Sequence, residues 1–502
     1  MESKATMKVG QANDLGNVDQ TTEEIVVTRY GPLCGRRTHS GVVFRGVPYG
    51  DKVSTNARFS ASTPVAPWSG LRLAHTDGPA APQRPSRLEN VMGKVIADQG
   101  EDCLTMTIWT PDCAPSGRPV VIWFHGGAYI SGAGTLSWYD GERLSSRGDL
   151  VVVSVNHRLG ALGYLVDPAH PQSPAVEDQR LAVEWVHRNI SMFGGDPDSI
   201  TLMGQSAGAV SIANLIQCER TARMVKRVIL QSGGFGRDPL LLDRASEVRR
   251  NFLNILADGA EIAHDEEFLK AASVEDILVA QADTMSHFGG DLVFRPLSPG
   301  DRKWGEYIES IAAACKGIDV MISVTAEEGR SFVPASVSMA DVKRSIAAQS
   351  DEQTFETYRK RYPSLSARDL LTTFLTDYIY CGGNLKLGRM ISSANNSVYC
   401  CVFDWSPAES DFGACHCIEL PFVFGTLDAW PDAGMLKGGD DIQMGALSAD
   451  VQANWISFIR NGRPEDGEWA PFDSTSRVVR RFGSGAKFAD KTCVDAWLAA
   501  RA

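Results

Sequence analysis

The sequence predicts an α/β architecture: a large, mostly parallel sheet flanked by helices, with helical insertions over its carboxyl edge. Three observations carry this expectation. Short valine-rich apolar runs that end at polar or glycine-rich turns alternate along the chain with segments of helical spacing. No internal repeat or low-complexity linker breaks the alternation into separate units. A composition of 43% hydrophobic and 22% charged residues over 502 positions can bury a large core and carries no bias toward disorder.

Taken in order, residues 1–24 are polar and mixed in charge, which predicts a tail without the basic start and apolar core of a secretory leader. Residues 25–502 read as one domain. The runs 120–124 and 150–155 have the character of buried parallel strands, and 178–193 that of a helix. A further strand is expected at 199–203, followed after Gly208 by a helix with apolar positions Val210, Ile212, Ala213, Leu215 and Ile216. Segments 227–230, 320–324 and 398–405 supply more strands. Between them, 238–290 and 338–395 are mainly helical and read as insertions that shape a pocket.

Charge and cysteine usage narrow the function classes. A net charge of -12 without any basic cluster argues against a nucleic-acid partner. No stretch reaches the ~20 apolar residues of a membrane span, so no membrane partner is expected either. Eleven cysteines, scattered and odd in number, fit free thiols in a reducing, cytoplasmic setting. Cys415-His416-Cys417 lacks a second ligand pair at zinc spacing, so no metal and no cofactor are expected. The partner that remains is a small molecule; oligomeric state is not encoded in any readable pattern.

The sharpest chemical signal is Gly204-Gln205-Ser206-Ala207-Gly208 between an expected strand and an expected helix. A serine at the tip of such a turn takes a strained backbone and needs small neighbours, which makes Ser206 the candidate nucleophile. His125-Gly126-Gly127-Ala128-Tyr129 follows another strand, where backbone amides are placed to meet an oxyanion. Gly127 and Ala128 would supply two donors and Ala207 a third. A serine hydroxyl needs a base, and a base histidine needs an orienting carboxylate. With the chain order nucleophile, acid, histidine, the candidates after Ser206 are His264, His287 and His416. The first two sit in the helical insertion, and His416 follows a strand. For the acid, Glu327 and Glu328 both stand just past the 320–324 strand, and the residues alone leave that pair open.

In this order the motifs resemble the type-B carboxylesterase family over nearly the whole chain. Phe44-Arg45-Gly46-Val47-Pro48-Tyr49 with Arg58-Phe59, Glu101-Asp102-Cys103-Leu104, and Asn156-His157-Arg158-Leu159-Gly160 carry the resemblance. So do Asn189-Ile190, Phe193-Gly194-Gly195-Asp196-Pro197, and the C-terminal Trp455, Phe458, Gly462, Pro464 and Trp469. The resemblance implies the α/β-hydrolase fold, hydrolysis of small carboxylic esters through an acyl-enzyme on Ser206, and Glu328 rather than Glu327 as the acid. It also implies His416 as the base, followed by Glu419 and Leu420-Pro421-Phe422. The run around His416 is most similar to the phenmedipham-type carbamate hydrolases, so carbamates and anilides stand as alternative substrates of the same machinery. A non-catalytic interaction role, which some members have adopted after losing triad residues, fits less well because all three are present.

Several departures accompany the likeness. Ala81 in Ala81-Pro82-Gln83 replaces the family cysteine that bonds to the position of Cys103, which implies no disulfide there. Gln205 stands where many members carry Glu. No aromatic residue lies between Arg84 and Gly100, so the choline-holding tryptophan of cholinesterases is absent. The Gly-Gly-Ala loop resembles that of members accepting bulky alcohols, and Ser232 matches a family serine with at most a supporting role.

Overall fold

The computed structural model describes residues 23–53, 57–260, 265–394, 396–473, 475–483 and 485–500. Twelve strands form a single sheet. They are β1 (Glu23–Val27), β2 (Pro32–Arg37), β3 (Val42–Pro48), β4 (Arg72–Leu73), β5 (Thr105–Thr110) and β6 (Arg118–Phe124), then β7 (Val151–Val155), β8 (Gly195–Gln205), β9 (Arg227–Gln231), β10 (Asp319–Thr325), β11 (Val398–Phe403) and β12 (Val479–Phe482). Their spatial order is β1-β2-β3-β5-β7-β6-β8-β9-β10-β11-β12, with β4 beside β2. From β7 to β12 every pairing is parallel.

The parallel half is where the apolar runs predicted it, because strands covered on both faces must be apolar at successive positions. All five residues of β7 and all six of β11 are buried. Side chains alternate between two layers. Val120, Ile122 and Phe124 point into one core with the helices Pro174–Asn189, Ala207–Leu215 and Trp304–Ala314, through residues such as Trp185, Ile212 and Ile311. Val121 and Trp123 point into the other, against Leu420–Phe424 and Asp441–Asn461, where Phe424, Trp455 and Phe458 pack.

The antiparallel half was not anticipated from the sequence. Strands β1, β2, β3, β5 and β7 pair antiparallel. Strand β1 reads Glu-Glu-Ile-Val-Val and β2 ends in Arg36-Arg37. An edge tolerates charge on its open side, so the apolar signal that marks a central strand is missing. Glu23 and Glu24, placed in the sequence reading's polar tail, begin β1; residues 1–22 of that tail lie outside the described residues.

The two helical stretches differ from one another. Helices Leu242–Leu256, Asp265–Ala271 and Val274–His287 build a core of Val248, Phe252, Leu269 and Ile277 that also takes in Tyr129 and Ala207. Helices Met339–Gln349, Glu352–Arg361 and Ala367–Leu375 gather around Ile346, Phe355 and Phe374. The helix Gly382–Ser393 instead packs Leu385, Leu387 and Ile391 onto the sheet as the crossover between β10 and β11. No helix of the described residues is long and apolar enough to cross a membrane.

Candidate active site

Strand β8 ends at Gln205 and the next helix begins at Ala207, which leaves Ser206 alone at the turn with φ 55° and ψ -118°. A non-glycine residue at such angles is strained and must be held by its surroundings. Two constraints hold it. The Ser206 amide donates to the Gln231 carbonyl at 2.8 Å. The flanking turn is so tight that a Cβ on Gly208 would lie 2.0 Å from the Phe124 carbonyl oxygen.

The loop after β6 lies against this turn. Gly127 has φ 111°, and a Cβ there would meet the Ser131 carbonyl oxygen at 2.0 Å. Its own carbonyl accepts from the amides of Ile130 and Ser131 at 3.1 and 3.0 Å, which folds the loop back on itself. Ala128 and Tyr129 follow with φ 55° and 64°. Among the described residues, the amides of Gly127, Ala128 and Ala207 find no acceptor. Unsatisfied amides beside a strained serine form a site for an oxygen that acquires negative charge.

The candidate carboxylates and histidine lie in the connections that follow β10 and β11. Just beyond β10, Glu328 is fully buried. Its Oε1 accepts from the Thr325 amide at 2.7 Å, and its Oε2 lies 2.5 Å from His416 Nδ1. Of the two glutamates left open by the residues alone, Glu328 is thus the one that meets His416. Glu327 turns away: it pairs with Arg330 at 2.7 Å and accepts from the Ala414 amide at 2.9 Å, which pins the loop that carries His416. His287 is exposed at the end of its helix, and His264 lies outside the described residues.

Gln205, which stands where many family members carry Glu, touches the centre. Its Nε2 lies 3.3 Å from His416 Nε2 and 3.2 Å from Cys417 Sγ. With an amide donating to Nε2, the neutral imidazole carries its proton on Nδ1, toward the Glu328 carboxylate, and keeps Nε2 as an acceptor. Burial disfavours a charged imidazole. Tyr380, Cys417 and the Glu328 carboxylate outweigh that effect and hold His416 well above the ordinary histidine value of 6.5. Beneath it, Glu419 is buried and donor-poor, and burial with the neighbouring Glu328 charge raises its carboxyl to about 7. Gln231 donates to Glu419 Oε1 at 3.2 Å and accepts from Trp455 Nε1 at 3.4 Å. The same strand end that receives the Ser206 amide therefore also steadies the floor under His416.

Ser232, next along, has φ 49° and a buried hydroxyl without a partner among the described residues; its amide donates to the Ser323 carbonyl at 2.6 Å. His125 and His157 stack with centroids 4.8 Å apart, and burial drives them down to about 3 and about 4, so both are neutral supports of the loop. All eleven cysteines are unpaired; burial lifts the Cys415 thiol to about 12 and raises that of Cys417 as well. Among the described residues, one group of side chains brings three potential metal-ligand atoms within 4.8 Å of one another: Glu23, Cys34 and His75, at the β1–β2 edge.

Ser206, His416, Gly127, Ala128 and Ala207 all line one cavity of about 290 Å³. Leu88, Met92, Val95 and Trp138 give it an apolar side, so the segment without aromatics still contributes wall. Phe332, 44% exposed, lies with its ring 5.4 Å from that of His416.

Comparison with known proteins places these features in a lineage. Residues 22–493 match the model of the Carboxylesterase family. The chain is 30% identical over 472 residues to the para-nitrobenzyl esterase of Bacillus subtilis, covering 91% of this chain and 94% of that one. It is 31% identical to the phenmedipham hydrolase of Pseudarthrobacter oxydans, over 93% of this chain and 97% of the relative. It is 33% identical to a probable N-octanoylanthranilate hydrolase of Rhodococcus erythropolis, over 91% and 97%. Among solved structures, a thermophilic PNB esterase superposes with a TM-score of 0.84 at 28% identity, across 95% of this chain and all of that one.

Proposed function

The chain belongs to the carboxylesterase family and is a carboxylic-ester hydrolase, and from that premise we propose that Ser206, His416 and Glu328 carry out the reaction through an acyl-enzyme. Ser206 Oγ attacks the ester carbonyl while His416 Nε2 takes its proton. Glu328 holds the resulting imidazolium through Nδ1. The amides of Gly127, Ala128 and Ala207 receive the negative charge that builds on the carbonyl oxygen, each such donor worth ~3 kcal/mol of barrier. The tetrahedral centre collapses, the imidazolium gives its proton to the departing alcohol, and water repeats the sequence to release the acid and restore Ser206.

The observation that supports this reading above all is the 2.5 Å contact between His416 Nδ1 and Glu328 in a cavity shared with a strained Ser206. A second reading keeps the machinery and changes the substrate to a carbamate or an anilide. It is favoured by the names of two relatives, a phenmedipham hydrolase and a probable N-octanoylanthranilate hydrolase. One aryl group presented as butyrate ester, methylcarbamate and anilide separates the two. Turnover of the ester with slow inactivation by the carbamate marks an esterase, and sustained turnover of either other compound marks the second reading. With eleven unpaired thiols, we also assign the enzyme to a reducing, cytoplasmic compartment. Its behaviour after isolation in the presence and absence of reductant tests that assignment, with thiol titration expected to recover all eleven from freshly lysed cells.

A further inference from the structure

One wall of the cavity is charged in a way that ester hydrolysis itself does not require. Arg237, in the loop after β9, and Arg295, beyond the helix Val274–His287, both line the space into which Ser206 and His416 open. The two guanidiniums are close enough to repel: Arg237 is among the groups that make Arg295 harder to charge, after burial, which acts most strongly. An arginine nevertheless stays protonated at any working pH, so each guanidinium carries its positive charge into the cavity. Asp291 and Asp238 line the same wall and set two negative charges against the two positive ones, with Asp291 acting on Arg295 more strongly than Arg237 does. They leave the guanidinium incompletely satisfied: among the described residues, Arg295 Nε is buried with no hydrogen-bond partner. A chain of net charge -12 has carboxylates to spare, and a buried guanidinium edge left open costs free energy unless something else fills it.

Position ties this wall to the reacting centre. Tyr129, in the loop that carries the free amides, feels both Arg295 and Arg237. On the other side, Arg237 acts on Tyr380, whose ring lies 5.0 Å from that of His416. The arginine pair therefore shares its cavity with the glycine loop on one side and the histidine on the other.

We propose that Arg237 and Arg295 form a carboxylate-binding subsite, and that the preferred substrates are esters bearing a free carboxylate on one of the two groups joined by the ester bond. The planar fork of a guanidinium matches a carboxylate through two parallel hydrogen bonds, which a neutral ester cannot supply. The open guanidinium edge gains a pair of charge-assisted hydrogen bonds only when that anion is present. This rests on the esterase reading above and specifies its substrate class.

The test uses two matched pairs of esters and the intact enzyme. Methyl valerate against monomethyl glutarate places the carboxylate on the acyl group; 4-carbamoylphenyl butyrate against 4-carboxyphenyl butyrate places it on the leaving group. In one pair, kcat/KM for the anionic member is expected to exceed that of its neutral partner by roughly 10- to 100-fold, and the pair that responds identifies the side the subsite serves. Arg295→Gln and Arg237→Gln should each collapse that ratio toward one, whatever their effect on overall rate. Should either variant fold poorly, inhibition of the wild type provides the same reading. Glutarate is expected to inhibit neutral-ester hydrolysis at least about tenfold more tightly than glutaramide, with Ki rising as salt is added. Equal or better turnover of the neutral member in both pairs, a ratio unchanged in the variants, or equal inhibition by glutarate and glutaramide overturns the subsite. Failure of all four esters overturns the esterase reading as well.

Discussion

At the floor of the cavity Glu328 is held by the backbone and by His416, whereas on its charged wall Arg295 Nε has no hydrogen-bond partner among the described residues. Glu328 spends one oxygen on the Thr325 amide and the other on His416, and the Ser206 amide is bound to Gln231. The floor residues stand at the carboxyl ends of β8, β9, β10 and β11, whose parallel register fixes their spacing to within the rigidity of a buried sheet. The wall residues come from connections and helices around that sheet, where backbone position is set by packing of an inserted unit. The difference teaches that reaction chemistry and substrate choice are encoded in separate parts of this chain, so that substitutions in one should leave a different kinetic trace from substitutions in the other.

The largest expected effect falls on the floor. Glu328→Gln keeps the shape and removes the charge, and should lower kcat/KM for a neutral ester by roughly 10³- to 10⁴-fold by releasing the imidazole from its required tautomer. It should also move the acid limb of the pH profile. A protonated His416 cannot accept the serine proton, so activity falls as pH drops through its pKa. In the wild type that pKa is raised, and the limb is expected above pH 6.5. Without the Glu328 charge, burial continues to oppose protonation while one of the groups opposing burial is gone, so the midpoint moves down. A limb that stays in place in Glu328→Gln would mean that this carboxylate does not govern His416.

A smaller effect tests the turn itself. Gly208→Ala introduces a Cβ 2.0 Å from the Phe124 carbonyl oxygen, and the backbone must shift. A loss of about 1–3 kcal/mol in urea unfolding is expected, with kcat falling alongside because the same shift displaces Ser206. On the wall, Phe332→Ala should have the smallest consequence, a change of KM by about two- to fivefold with a lesser change in kcat, since its ring shields the histidine and binds substrate and transition state alike. A kcat loss as deep as that of Glu328→Gln would erase the division between floor and wall.

The same division explains what could be read from the sequence. Ser206, the glycine loop and His416 were legible because each follows an apolar strand and obeys a local rule: small residues at a strained turn, free amides, a fixed chain order. Glu328 and Glu327 were not separable by such rules, since which carboxylate faces His416 depends on the turn after β10 and on Arg330, a contact that spacing does not encode; family likeness pointed to Glu328, whose Oε2 lies 2.5 Å from His416 Nδ1. Gln205 was legible as a departure but not as a neighbour of His416 Nε2, because the contact spans 211 positions of sequence. The edge strands β1 to β3 carry charges that hide their periodicity, and the arginines of the wall are ordinary surface residues by sequence until the insertions enclose them.

The most direct test of the whole account is the covalent one. The enzyme is mixed with p-nitrophenyl methylcarbamate, a slowly released acyl donor, while p-nitrophenol is followed and the protein is then digested for mass spectrometry. The account predicts a burst of one p-nitrophenol per chain and one carbamoyl group on the peptide containing Ser206, with both lost in Ser206→Ala. Modification of another residue, or a burst that survives in Ser206→Ala, would contradict it.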